Sequence, residues 1–126
     1  MKYIGIDYGS ARVGLALADD AAKLAARLGT ISPAELVATL HEHQPDVVVM
    51  GLPRSLDGRE TAQTLAVRRY AADVLEPAGY QINFQDEAGT SAVAEERLRE
   101  AGRAYQRGDI DAEAAAIILQ DYLDAL

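Results

Sequence analysis

Three carboxylates in this sequence stand where chain elements begin or end. Asp7 follows the apolar run Ile4-Gly5-Ile6, Glu87 follows "YQINFQ" (Tyr80 to Gln85), and Asp109 or Asp111 precedes an alanine-rich stretch near the C-terminus. Each alone has an ordinary explanation: Asp before glycine is favoured in turns, and acids at a helix start serve as caps or complement the helix dipole. Brought together, they would repel one another unless a cation sat among them. Oxygen ligands of this kind suit hard divalent ions, Mg²⁺ or Mn²⁺. Two such ions, roughly 3.5 to 4 Å apart, activate a water and stabilise the leaving oxygen in phosphodiester cleavage.

Composition narrows the alternatives. The 126 residues suffice for one domain, residues 1–126, with a real core. There is no cysteine, which excludes disulfides and thiolate metal sites, and only His41 and His43, read as an exposed helix end. No apolar run reaches the length of a membrane span, and the N-terminus lacks the basic-then-apolar pattern of a signal peptide, so a cytoplasmic protein without a membrane partner is expected. The net charge of −8, from 20 acids and 12 bases, argues against a general electrostatic grip on nucleic acid. The arginines are nevertheless concentrated: Arg54, Arg59, Arg68 and Arg69 in one stretch, and four more from Arg97 to Arg107.

The elements that must position the acids follow a βββαβαβαα order. Residues 2–7 and 12–18 read as strands joined by a tight turn, with a short third strand near Leu28 to Ile31. Ser32-Pro33-Ala34-Glu35 is a capping box that opens a helix running to about His43. "DVVVMGL" (Asp46 to Leu52) is β-branched without alternation, as suits a central strand buried on both faces. Pro53 to Arg59 reads as a loop. Glu60 to Glu76 reads as a helix with Val67, Tyr70, Ala71 and Val74 inward, and Tyr80 to Gln85 as a strand. Thr90 and Ser91 can cap a helix whose inner face is Ala94, Leu98 and Ala101. The last helix is expected from about Ile110 to Leu123, with Ala115, Ile118, Leu119 and Tyr122 on one side. Ligands of such α/β sheets gather at the carboxyl ends of parallel strands, where Asp7 and Glu87 meet if their strands run the same way.

Four blocks, "GIDYGSARVGLALAD", "GLPRSLDGRE", "DE" followed by "TSAVAEERL", and "IDAEAAAIILQDYLD", resemble in order and spacing the signature blocks of the YqgF/RuvX family of Holliday junction resolvases. The resemblance spans nearly the whole chain. It implies a ribonuclease H-like fold: a five-stranded mixed sheet with a three-stranded antiparallel start, flanked by helices on both faces. It also implies a nuclease site holding two Mg²⁺ or Mn²⁺ ions on Asp7, Glu87 and Asp111, which leaves Asp109 as the cap of the last helix. One departure stands out. Where the family typically has an arginine after Asp-Glu, this chain has Ala88-Gly89, so a phosphate grip must come from elsewhere, such as Arg12 or Arg54.

The remaining candidates are substrate contacts: Ser10 and Arg12 beside Asp7, Arg54 and Arg59 flanking Asp57-Gly58, and Thr90 and Ser91 after Glu87. Turn and cap roles explain them equally well without the family. The first functional expectation is a metal-dependent endonuclease acting on branched DNA. The alternative is the same site trimming the precursor of small-subunit ribosomal RNA, and a non-catalytic nucleic-acid-binding module is a third. "GIDYGS" also resembles the first phosphate motif of actin-like ATPases, but those enclose ATP between two such domains and this chain has one. A four-way junction has two-fold symmetry, so a resolvase is expected to be a C2 homodimer.

Overall fold

A computed structural model describes residues 1–102 and 104–126. Five strands form one sheet: β1 (Lys2–Tyr8), β2 (Val13–Asp19), β3 (Ala26–Ile31), β4 (Val47–Pro53) and β5 (Ile82–Glu87), in the order β3-β2-β1-β4-β5. β1, β2 and β3 pair antiparallel, whereas β4 runs parallel to β1 and β5 parallel to β4. This is the mixed sheet with a three-stranded antiparallel start that the resemblance implies. The carboxyl ends of β1, β4 and β5 therefore open on the same edge, with Pro53 opposite Glu87 in the register.

Side-chain alternation divides the sheet cleanly. Ile4, Ile6, Val48, Met50 and Leu52 point to one face and are packed under α1 (Leu36–His43) and α2 (Ala62–Tyr70) by Leu36, Leu40, Val67, Ala71 and Leu75. Tyr3, Ala16, Ala18 and Val49 point to the other, under Ala115, Ile118, Leu119 and Leu123 of α4 (Arg107–Asp124). Period-2 burial on both faces is what the unbroken apolar run of β4 requires. α3 (Thr90–Glu100) packs on α4 rather than on the sheet, through Ala94 against Ala114 and Ile117.

Small residues set how closely α4 approaches. A Cβ at Gly5 would lie 2.6 Å from Leu119 Cβ, one at Gly14 would lie 2.0 Å from the Asp111 carbonyl oxygen, and one at Gly51 would lie 2.5 Å from Ile118 Cδ1. Real Cβ contacts are never this short. The three glycines on β1, β2 and β4 thus form a lane into which the helix sinks.

Several boundaries differ from the sequence reading. The helix expected from Glu60 begins at Ala62, because Thr61 caps it and Thr64 reciprocates from the third position. Its last turn widens into a π-type segment at Ala71–Leu75, which rotates Leu75 inward and leaves Val74 exposed, contrary to the expected stripe. Thr90 and Ser91 do not cap α3. Gly89, in a left-handed conformation with φ of 69°, holds the cap position, Thr90 lies buried in the first turn, and Ala101 is exposed.

The largest correction concerns the last helix, which begins three residues before Ile110, at Arg107. Gln106 is its cap, and Asp109 is not. Asp109 occupies the third helical position, where its Oδ2 accepts the Gln106 backbone N–H at 2.9 Å as the carboxylate half of a capping box. Asp109 and Asp111 are both inside the helix, about 200° apart around its axis.

Candidate active site

Asp7 is the penultimate residue of β1, on the face toward α4 and directly opposite Gly14. Glu87 ends β5 on the same face, where a Cβ at Gly51 would meet its Oε1 at 3.4 Å. Asp111 is delivered from above by the first turns of α4, its backbone resting on Gly14. Two strand ends and one helix thus bring together the three acids that the sequence separates by 80 and 24 residues.

The electrostatics register the cluster. Burial, and after it the charges of Glu87 and Asp111, push the Asp7 carboxyl up to about 7. Burial raises Glu87 as well, while the neighbouring Thr90 hydroxyl acts in the opposite direction. No hydrogen bond or ion pair reaches the Asp7 side chain among the described residues, so none of them pairs with its charge. Asp111 differs: Arg12 Nε donates to its Oδ2 at 2.6 Å.

Among the described residues no three His, Cys, Asp or Glu side chains close around one point where a metal would sit. The donor set nevertheless fits a hard cation. It is all oxygen, it lies at a half-buried strand end, and burial together with two like charges pushes its central carboxyl up to about 7, a cost that a cation would relieve.

Three of the other sequence-predicted contacts, Arg12, Ser91 and Arg54, line two recesses beside the acids. Arg12 and Ser91 line one of about 220 Å³ together with Asp111, Glu95, Arg107 and Ile110. Arg54 lines the other with Ser55, Leu56, Gly58, Asp86, Glu87 and Ala88. Arg54 Nε lies 3.0 Å from Asp86 Oδ1, in a geometry that leaves the buried N–H without an acceptor. Its recess adjoins Ala88, where the family's arginine is missing. Arg59 is not brought in: it pairs with Asp57 at 2.6 Å and its side chain is 83% exposed outside the recess. Ser10 is exposed in the β1–β2 turn, which Gly9 closes through its N–H to the Arg12 carbonyl. The Pro53 to Arg59 loop is tied down at its ends, with an isolated bridge between Arg54 and Glu60 and the Arg54 N–H donating to the Glu87 carbonyl at 2.9 Å. Ser55 also hydrogen-bonds Asp57.

Sequence reasoning missed Gly14, Gly51, Arg107 and Glu95. The glycines read as ordinary strand residues, since nothing local marks where a distant helix will land. Arg107 was one of four arginines in a basic stretch, and only the early start of α4 turns it toward Asp111.

A family model described as "RuvX: Holliday junction resolvase" matches residues 1–125. A protein of Anaeromyxobacter sp. (strain Fw109-5) named "Putative pre-16S rRNA nuclease" is 41% identical, over 98% of this chain and 97% of its own length. A protein of the same name from Colwellia psychrerythraea is 33% identical over 96% of this chain and 88% of its own. Among solved structures, Thermus thermophilus RuvC in complex with a Holliday junction superposes with a TM-score of 0.55 at 22% identity, covering 99% of this chain and 95% of that one. The Fowlpox virus resolvase bound to junction DNA superposes at 0.58 with 10% identity, over 99% and 98% of the two chains. At these identities the structural likeness is one of fold, and that fold is ribonuclease H-like.

Proposed function

This chain belongs to the RuvX family of nucleases, and from that premise we propose that it is a divalent-metal-dependent endonuclease that trims a structured ribosomal RNA precursor. The observation that carries the metal reading is Asp7: a half-buried carboxylate with no partner among the described residues, pushed up to about 7 by burial and two neighbouring acids, at the edge where the parallel strands end. The names of the full-length relatives support the RNA substrate.

Asp7, Glu87 and Asp111 would hold Mg²⁺ or Mn²⁺, which when bound supplies Lewis-acid stabilisation of the phosphate and a more acidic water nucleophile. The chain's own residues do the rest. Burial of the strand ends keeps the carboxylates in low dielectric, where their attraction for a cation is strongest. The Thr90 hydroxyl beside Glu87 favours its ionised form. Arg54 and Arg12 flank the acids and can hold phosphate oxygens through planar, forked donors. With a net charge of −8, binding of a polyanion depends on these few guanidiniums and on the bound cations.

The fold shared with two junction-bound resolvases favours a second reading, cleavage of four-way DNA junctions. Paired incision needs two sites related by a two-fold axis, so this activity requires a homodimer, whereas RNA trimming does not. Parallel cleavage of a precursor-like structured RNA and a four-way DNA junction, each with Mg²⁺, Mn²⁺ or chelator, decides between them. RNA cleavage that stops with chelator and in Asp7→Asn supports the proposal. Cleavage of the junction alone transfers it to the second reading, and chelator-resistant cleavage ends the metal mechanism.

A further inference from the structure

Asp111 is the one candidate ligand that the sheet does not carry, and its carboxylate is already engaged. Arg12, from the turn between β1 and β2, holds Oδ2 at 2.6 Å; the Arg12 side chain is 41% exposed and that of Asp111 19%. The same guanidinium faces the recess that Ser91, Glu95, Arg107 and Ile110 complete. Arg107 enters no ion pair among the described residues, so its charge faces that space uncompensated. Glu95 is compensated. It pairs with Arg99 at 3.2 Å and accepts the Tyr105 hydroxyl at 3.1 Å. Two guanidiniums and a serine hydroxyl around about 220 Å³, with Asp111 held by Arg12 and Glu95 held by Arg99 on its walls, make a place for a single phosphate group once Asp111 is turned to a cation.

We propose that this recess takes a backbone phosphate of the nucleic acid next to the one cleaved, and that Arg12 is a switch residue: it leaves Asp111 for that phosphate and so releases Asp111 to the metal. The inference rests on the reading of Asp7, Glu87 and Asp111 as metal ligands.

The physical basis is competition for one guanidinium. Without nucleic acid, Arg12 lends the acidic cluster a positive charge and keeps it from flying apart, but it occupies an oxygen that a metal needs and would repel a cation placed beside it. A phosphate oxyanion flanked by Arg107 and Ser91 offers Arg12 a forked, doubly charge-assisted partner. Once Arg12 moves, the freed Asp111 and the loss of a nearby positive charge both favour the cation. Metal and nucleic acid then bind cooperatively, each tightening the other by the same factor. The ligand set is completed only where nucleic acid lies across both the cleavage site and this recess.

The test is an electron paramagnetic resonance titration of Mn²⁺ into metal-free protein, with and without an uncleavable 2′-O-methyl RNA hairpin carrying a single-stranded 5′ extension. Wild type, Arg12→Gln, Arg107→Ala and Asp111→Asn are compared, with Arg12→Ala repeating the test if circular dichroism shows the glutamine variant poorly folded. RNA should tighten Mn²⁺ binding to wild type by about fivefold or more. Arg12→Gln should bind Mn²⁺ without RNA as tightly as wild type does with it, and RNA should add nothing further. Arg107→Ala should keep the wild-type Mn²⁺ affinity without RNA, yet bind RNA more weakly, with a salt slope smaller by about one. An Arg12→Gln protein that binds Mn²⁺ no more tightly than wild type, alongside an Asp111→Asn protein that has lost affinity, overturns the switch and leaves the metal reading standing. Unchanged affinity in Asp111→Asn overturns the metal reading and the switch with it.

Discussion

Gly14 lies directly beneath Asp111: a Cβ on the strand residue would come within 2.0 Å of the carbonyl oxygen of the helix residue. Because Gly14 is also the register partner of Asp7, one hydrogen atom in place of a side chain fixes the height of α4 above the first-strand acid. The clash would be with backbone, which cannot rotate away.

Gly14→Ala should therefore push the start of α4 off the sheet. An overpacked contact of this kind costs roughly 1 to 3 kcal/mol, which urea denaturation would measure. Activity should fall much further than stability, because Asp111 moves while Asp7 and Glu87 stay. A Gly14→Ala protein with wild-type cleavage would show that α4 need not seat this deeply.

Asp7→Asn should stabilise the metal-free protein in a pH-dependent way. The folded-state carboxyl titrates near 7, above its unfolded value near 4, so the folded protein holds the extra proton and loses stability as pH rises from about 4 to 7. Asparagine cannot lose a proton. Its advantage should be absent near pH 4, grow through that window, and reach at most roughly 4 kcal/mol above pH 7. Thermal melts in chelator at several pH values test this, and a pH-independent difference would contradict it.

The same titration governs metal uptake. A cation must displace the Asp7 proton, so apparent Mn²⁺ affinity should climb as pH approaches 7 and level off above it. Calorimetry in buffers of different ionisation enthalpy should detect proton release below pH 7 and little above it.

Asp109 and Asp111 should fail differently. Asp109→Ala removes one half of the capping box, a loss of about 1 kcal/mol, and should leave the folded enzyme active because its side chain faces away from the acids. Asp111→Ala should keep its fold and lose cleavage. An inactive, stable Asp109→Ala would reverse these roles.

Arg54 and Arg59 should likewise separate. Arg54 shares a recess with Glu87, whereas Arg59 is bound to Asp57 in solvent. Replacing Arg54 by alanine should reduce the salt slope of RNA binding by about one, and replacing Arg59 should leave it unchanged. Equal effects would mean that the whole loop lies on the nucleic acid.

The family resemblance, not any local pattern, chose Asp111 over Asp109; the strands, their alternation and the standing of Asp7 and Glu87 at strand ends are legible in the chain alone. These follow from local rules: β-branched runs make strands, capping residues open helices, and an acid after a strand stands at the sheet's edge. The Ser32 capping box and the buried β4 run were legible for that reason. Where a competing local signal existed, the reading erred. Asp109 looks like a cap because Asp caps helices, but Gln106 and Arg107 extend the helix by three residues and convert Asp109 into the partner of the cap. How the pieces meet is a matter of packing. Which glycines admit α4, which arginine holds Asp111, and that Arg54 rather than Arg59 stands beside Glu87 all depend on contacts between residues far apart in the chain. Such contacts are set by packing and charge in three dimensions, and a sequence window of helical or strand length contains only one side of each.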